Sequence, residues 1–337
     1  MTFPFETGFP PGAATDRRAA TAAALRSELE RLQTETVTGQ AADAPTALDG
    51  RTAEAQRLGG VLTALEGYGE AAALVAARAE TQQSALGGVR DVVEELVNAL
   101  QSAVSSGSGT GLAVAVPAAE NALDVIVTAL NTRFAGRSLF TGNAGDATAL
   151  ASPETIAIAA GIAASGAPDA TAADAAVRAL FDTPGGDFET TFYTGGTGDG
   201  PATAIAPGET VRLTLRADDS VFRDVLRETT AALTAATGGG TFAERRALIE
   251  ESALGLRTAL EGLARRAGEL GITEQRIEST RAGNAVEQAQ LNRALGALTG
   301  RDQFEAASTL TATEDALETL FVTTARISAL TLTNFLR

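Results

Sequence analysis

The sequence contains no cysteine, histidine, tryptophan or lysine, and each absence removes a class of function. Without His and Cys, the common zinc sites and the Ser-His-Asp and Cys-His nucleophilic arrangements are excluded. Without Cys there is no disulfide, so redox chemistry says nothing about the compartment. Aromatic residues make up only 4% of the 337 positions, so Ala and Leu supply most of the 45% hydrophobic content. That balance suits long helices packed side by side rather than one thick core. Every basic residue is Arg, dispersed along the chain, which reads as a coding bias and not as a mechanism. The net charge of -16 and pI near 4.5 argue against a nucleic-acid partner, whose phosphates require concentrated basic charge. Residues 1–12 lack the basic and apolar regions of a classical secretion signal. No run approaches the ~18–20 apolar residues needed to span a bilayer. The expectation is a soluble, acidic, helix-rich protein with no cofactor, no metal, no membrane partner and no enzymatic activity. Its export, if any, requires a dedicated route.

What is present is organised around the C-terminal tail. From Thr299 onward there is no Pro, and Gly300 is the only glycine. Leu310, Leu317, Leu320, Phe321, Ile327, Leu330 and Phe335 recur at spacings of three, four and seven, which predicts a helix with one apolar stripe. Leu332 and Leu336 add to a very apolar last turn, a face that calls for a cover. At the other end, Phe3, Phe5 and Phe9 stand among three prolines in an irregular arm, Thr2–Gly12. A helix follows from Ala13 to about Thr38, with Leu25, Leu29, Leu32 and Thr36 on one face and Gly39 as its stop. It is the natural mate of the tail helix.

Two much longer apolar stripes lie between. Arg51–Ser105 has no Pro and would make a rod on the order of 80 Å. Its several glycines suggest bends or close helix contacts. The stretch from Phe242 to Leu298 has matching length, so the two are expected to pair antiparallel. Ser105–Gly111 reads as a flexible link, since it lacks the strand before and the Gly-Lys-Ser/Thr after that a phosphate loop needs. Pro117 opens a third helix and Val221–Thr237 forms another, broken by Gly238-Gly239-Gly240.

Between Asp146 and Asp219 come five of the ten prolines and short alternating runs. Thr155–Ile158, Thr210–Leu215 and Phe188–Thr194 read as strands of a small, separate inserted domain at the far tip of the rod. Gly198-Asp199-Gly200 and Asp218-Asp219 lack the ligand spacing of a calcium loop and read as solvated turns. The expected organisation is therefore mainly α. It comprises an arm and terminal helix over 1–40, rod halves over 41–145 and 221–299, an inserted β-containing outer domain over 146–220, and a second terminal helix over 300–337.

The stretch Asn131…Gly136-Arg137-Ser138-Leu139-Phe140-Thr141-Gly142 resembles the Gly-Arg-x-Leu-Phe-x-Gly signature of the flagellin superfamily. The tail is similar too: Asp302-Gln303-Phe304-Glu305-Ala306-Ala307, then Leu310, Ala325–Leu332 and Phe335-Leu336. The chain departs from the pattern in its Phe/Pro-rich opening and in Asp43-Ala44-Pro45, where the family usually has an Asp-Asp-Pro-like connector. Within the superfamily, the Arg of the turn favours the hook-associated proteins of the hook–filament junction over filament flagellin. The resemblance implies a structural subunit, extracellular on the bacterial flagellum and exported through the flagellar apparatus. It implies as partners copies of itself, another hook-associated protein, flagellin and, before secretion, an export chaperone. Leu25, Leu29 and Leu32, with Leu310, Leu317, Leu320, Phe321, Ile327, Leu330, Leu332, Phe335 and Leu336, are the candidate subunit-interface residues. Both chain ends are expected to be largely unfolded in the free monomer. Two alternatives remain: filament flagellin itself, and a helical-hairpin signalling rod, which would want a tight polar tip instead of an insertion.

Overall fold

The structure, a computed structural model, describes residues 11–42, 48 and 50–335. It is mainly α, with α1 (Pro11–Thr38), α2 (Thr52–Ser105), α3 (Gly109–Ala113), α4 (Ala115–Leu130), α5 (Pro153–Ser165), α6 (Ala170–Asp182), α7 (Ser220–Thr237), α8 (Phe242–Thr299) and α9 (Gln303–Phe335). Two small antiparallel sheets accompany them: β1 (Arg133–Phe134) with β2 (Arg137–Ser138), and β3 (Thr203–Ala206) with β4 (Glu209–Val211). The described chain divides into two compact units, one up to Leu65 and from Val286 onward, the other Glu66–Ala285. Most of the expected N-terminal arm, and Leu336, lie outside the described residues. Pro11 and Gly12, expected in that arm, instead open α1. Proline fits there because the first N–H groups of a helix have no intrahelical partner.

Within Glu66–Ala285 the two long helices run antiparallel. Ala72 and Val75 of α2 cluster with Ile277 of α8, and the Gln101 amide lies against the Arg257 guanidinium further along. The α2 glycines at 59, 60, 67, 69, 87 and 88 do not mark close contacts, since a Cβ on any of them would meet nothing within 4 Å. Their helix survives because the Leu and Val stripe is buried, which outweighs a glycine cost of up to ~1 kcal/mol each. β3 and β4, joined through Pro207 and Gly208, bring Ile205 and Val211 into the same cluster. Buried Asn284 fixes the sheet by donating to the Ile205 carbonyl at 2.8 Å.

The inserted segment differs from its sequence reading. Thr155–Ile158 is not a strand but part of α5, because Ser152-Pro153-Glu154 makes a strong helix start. The Ser152 hydroxyl accepts from the Thr155 N–H at 3.2 Å, Pro153 occupies the first turn, and Glu154 faces the helix dipole. Phe188–Phe192 forms a π-helical turn, and only Tyr193 beyond it pairs, in an isolated bridge with Leu150. Of Thr210–Leu215, only the first two residues belong to a strand. Nor is the segment packed separately. Phe181, Phe188 and Phe192 are fully buried and share one core with Phe140, Phe222 and the Leu and Val residues of α2, α4 and α8. Phe140 meets Phe222 edge-on at 6.0 Å, and Phe181 lies 5.5 Å from Phe192.

A buried ion cluster ties α6 to α7. Arg178 donates to Asp174 at 2.6 Å and to both Glu228 oxygens at 2.8 Å, while Arg227 reaches Asp182 at 2.8 Å and also Glu228. Burial disfavours the Arg178 charge, yet the two carboxylates outweigh it and hold its pKa above the ordinary value. The expected flexible link is partly helical, since the Ser108 hydroxyl caps α3. The sequence expectation of no membrane-length run also needs correction. Gly109–Leu130 has the length and, at mean hydropathy 1.5, the composition to cross a bilayer. In this fold its apolar face, from Leu112 to Leu130, is built into the core of the second unit.

Candidate assembly site: the terminal helix pair and the signature turn

In the first unit, α1 packs along α9. Their junction is a clasp built on Glu35. The Glu35 carboxylate, nearly fully buried, accepts from Arg31 at 2.8 Å and from the Ala42 N–H at 3.1 Å, and lies 3.5 Å from the Arg301 guanidinium. Gly39 ends α1 with φ +67°, which frees its carbonyl to accept from the Arg301 N–H at 3.1 Å. Ala41 donates to the Thr299 carbonyl at 3.0 Å, and Gln40 bridges Gly300. Beside the clasp, the hydrogen bond from Arg31 holds the Glu28 carboxyl below its usual range and Arg31 above its own.

The expected interface residues separate into two groups. Leu32 is fully buried, and Leu25, Leu29, Leu310, Leu317 and Leu320 are half-buried. Phe321 and Ile327 are only partly covered, at 45% and 39% exposed, and Val322 is 45% exposed. Phe321 and Ile327 lie on opposite edges of the α1-facing stripe and Val322 points away from it, so the exposed apolar groups of α9 surround the helix and do not form one separate face. The Arg26 guanidinium sits 5.4 Å from the centre of the Phe321 ring, across the edge of the pair. The backbone of Leu330, Leu332 and Phe335 continues α9; their side chains, like Leu336, lie outside the description. Sequence reasoning missed Glu35, Ala306 and Thr313, all buried in this unit. Small and polar residues are invisible to a search for apolar periodicity.

The signature turn lies in the second unit, and each of its residue types has a physical task. Asn131 caps α4 and stitches it to a distant strand-like segment. Its Oδ1 accepts from the Ala149 and Leu150 N–H groups at 2.9 and 2.8 Å, and its Nδ2 donates to the Leu150 carbonyl at 3.0 Å. Ala135 and Gly136, with φ +47° and +80°, form the two-residue turn of the β1–β2 hairpin, a conformation glycine adopts without strain. Arg137 lays its guanidinium over Gly145, where a Cβ would come within 2.5 Å of it. The Leu139 carbonyl accepts from the buried Gln82 amide at 2.8 Å, which docks the turn on α2. Phe140 anchors the core, and its carbonyl accepts from the Ala217 N–H at 2.9 Å. Gly142, φ +59°, has no room for a Cβ because the Gly198 carbonyl oxygen abuts it. Next to this turn, burial pushes the Tyr193 phenol up to about 12, with the Asp218 charge adding to the effect. Its hydroxyl donates to the Gly196 carbonyl at 2.8 Å.

Among the described residues no group of His, Cys, Asp and Glu is placed to hold a metal ion. What the two elements offer is surface: partly exposed apolar side chains on the terminal helix in one unit and a hairpin turn in the other.

Known proteins resemble the chain in sequence over one part and in fold over most of it. Residues 14–145 match the family model of the bacterial flagellin N-terminal helical region, which ends just after the signature turn. No curated protein matches the sequence. In fold, a chain assigned as a flagellar hook-associated protein from Vibrio parahaemolyticus is similar at TM-score 0.53 and 12% identity. The likeness covers 72% of this chain and 95% of that one. FlgL from Bacillus cereus is similar at TM-score 0.53 and 15% identity, over 71% of this chain and 98% of its own. Residues 14–145 therefore resemble a flagellin N-terminal helical region, and the chain shares its fold with the Vibrio hook-associated protein and Bacillus FlgL.

Proposed function

We propose that this chain is a structural subunit of the bacterial flagellum that joins a hook-associated protein to the filament through its terminal helices. The observation that carries the proposal is the apolar surface that α9 leaves exposed. Phe321, Val322 and Ile327 stay partly exposed after α1 has taken its share of the stripe, in a chain whose residues 14–145 resemble the flagellin N-terminal region. Covering such surface contributes ~1.5–3 kcal/mol per large apolar side chain, the driving force for subunit packing. Identical contacts that do not close generate a helical array, as a tube requires. The subunit works by shape and burial, without catalysis, outside the cell. Its partners are copies of itself, another hook-associated protein and flagellin, and an export chaperone covers the exposed α9 surface before secretion.

The test is the double substitution Phe321→Asp, Ile327→Asp in cells that depend on this chain. Both side chains are exposed in the single subunit, so the fold should persist by circular dichroism while filament attachment is lost. Normal swimming by such cells would rule the proposal out. A second reading, filament flagellin, is favoured by the family match itself, which is to flagellin. It is separated from the first by whether the chain alone forms long tubes.

A further inference from the structure

The hairpin tip of the signature turn carries two arginines that the fold leaves without a carboxylate. Arg133 and Arg137 flank the β1–β2 turn, and with Ala135 and Gly136 they are exposed. The Arg133 guanidinium donates to the Gly136 carbonyl at 3.1 Å, and Arg137 lies over Gly145. Neither forms an ion pair among the described residues. In a chain with 42 acidic residues against 26 basic ones, two uncompensated guanidinium groups at one tip are a local exception. A Cβ on Gly136 would meet nothing within 4 Å, so the tip stands clear of its own subunit.

The back of the same layer has the opposite charge. An antiparallel helix pair has a groove on each side. Between α2 and α8, one groove is filled by β3–β4, whose Ile205 and Val211 pack on Ala72, Val75 and Ile277. The signature turn sits on that side, held by the bond from Gln82 to the Leu139 carbonyl. The other groove is open, about 430 Å³, floored by Ala73, Ala76 and Ala77 with Glu80 and Glu274 at its walls. At about 3.6 residues per turn, Ala73, Ala77 and Glu80 lie on the face of α2 opposite Val75 and Gln82. Glu80 and Gln82 differ by about 3 Å along the axis. The turn and the open groove are therefore back to back at one height along α2. Burial and the Glu80 charge hold the Glu274 carboxyl above its ordinary range, and neither carboxylate has a basic partner among the described residues. A guanidinium entering there relieves both.

We propose that the β1–β2 hairpin tip of one copy docks in the open α2–α8 groove of the next, with Arg133 and Arg137 meeting Glu80 and Glu274. This contact presupposes the repeating subunit proposed above and supplies its array with a lateral joint. Front meets back, so the joint is head-to-tail and propagates instead of closing as a symmetric pair. Ala135 and Gly136 are small enough to approach the alanine floor. The net charge of -16 on each copy repels at long range, and the matched groups set the register in which two copies approach.

The chain has no cysteine, so disulfides between introduced residues report the joint cleanly. The sample is flagella sheared from cells that depend on this chain. Copies with Ala135→Cys and copies with Ala77→Cys, produced together, should give a cross-linked dimer on non-reducing gels. A chain carrying both substitutions should give a ladder, and each single variant alone should stay monomeric. Adding Arg133→Glu and Arg137→Glu to the first copy sets like charges face to face and should cut the dimer by at least about tenfold. Glu80→Arg and Glu274→Arg in the second copy should restore it. The altered side chains are exposed or half-exposed, and circular dichroism checks that each variant folds. Chain present in the flagella without the mixed dimer, a dimer from Ala135→Cys alone, or charge reversal without rescue would overturn the joint and leave the flagellar role standing. Absence of the chain from the flagella would overturn both.

Discussion

Asn131 is the most informative residue to perturb, because one side chain makes three bonds that join α4 to residues 149 and 150. Ala149 and Leu150 are buried, so truncation to Ala leaves two backbone N–H groups without a partner or access to bulk water. Each such orphan costs about 1–3 kcal/mol, and loss of the third bond adds to this. Asn131→Ala should therefore destabilise the fold by about 3–5 kcal/mol, a large share of the ~5–15 kcal/mol typical of a folded domain. Asn131→Asp is the discriminating variant. Its carboxylate still accepts from both N–H groups but cannot donate to the Leu150 carbonyl, so it should lose less than the Ala variant. Urea denaturation followed by circular dichroism reads both. A loss below about 1 kcal/mol for Asn131→Ala, or Asp no better than Ala, would refute the view that this signature residue acts by satisfying buried backbone donors.

Other outcomes follow from the same structure. Tyr193 keeps its proton to about pH 12 in the folded chain and to about 10 when unfolded, so its contribution is complete below pH 10 and lost as pH rises towards 12. Two pK units correspond to about 2–3 kcal/mol. With no Lys, Cys or His to titrate nearby, ultraviolet tyrosinate absorbance and alkaline melting should report it, and Tyr193→Phe should flatten the alkaline limb. Ionisation of Tyr193 near pH 10 in the folded chain would contradict this. In dilute monomer, α1 and α9 should exchange amide hydrogens far faster than α4 and α7, because the described side chains of the pair bury only Leu32, Glu35, Ala306 and Thr313. Glu35→Ala should remove what protection remains around residues 39–42 and 299–303, where the clasp is built; strong protection of both ends, or none lost in the variant, would argue otherwise.

The long helices were legible because their signals are local. α2, α8 and α9 are free of proline and striped at helical spacing, Gly39 stops α1, and Gly238-Gly239-Gly240 separates α7 from α8. The insertion misled because Thr-Ile-Ala-Ile alternates like a strand. Four residues of alternation are outweighed by the Ser152-Pro153-Glu154 start that precedes them. α6 was missed in an Ala-rich stretch whose only start signal is Asp169, which caps the Ala172 N–H at 2.8 Å. Non-local partners were out of reach altogether. The pairing of Arg178 with Asp174 spans four residues, but its pairing with Glu228 spans fifty. The turn Asn131–Gly142 was visible as a pattern, whereas its task depends on Ala149, Gly198 and Gln82, none adjacent in sequence. On α9, spacing showed that Phe321 and Ile327 are apolar neighbours of Leu320, and only the pairing with α1 shows that they fall at its edges, partly exposed.

Assembly is proposed to run through the exposed apolar surface of the terminal helices, at a junction and not along a filament. Electron microscopy of the purified chain, concentrated alone and then offered to seeds of flagellin and of another hook-associated protein, tests it most directly. No long filaments are expected from this chain by itself, and the seed ends should gain short additions that the Phe321→Asp, Ile327→Asp variant cannot make. Long regular tubes built of this chain alone would contradict the junction role, and seed ends decorated equally by the variant would contradict the terminal-helix contact.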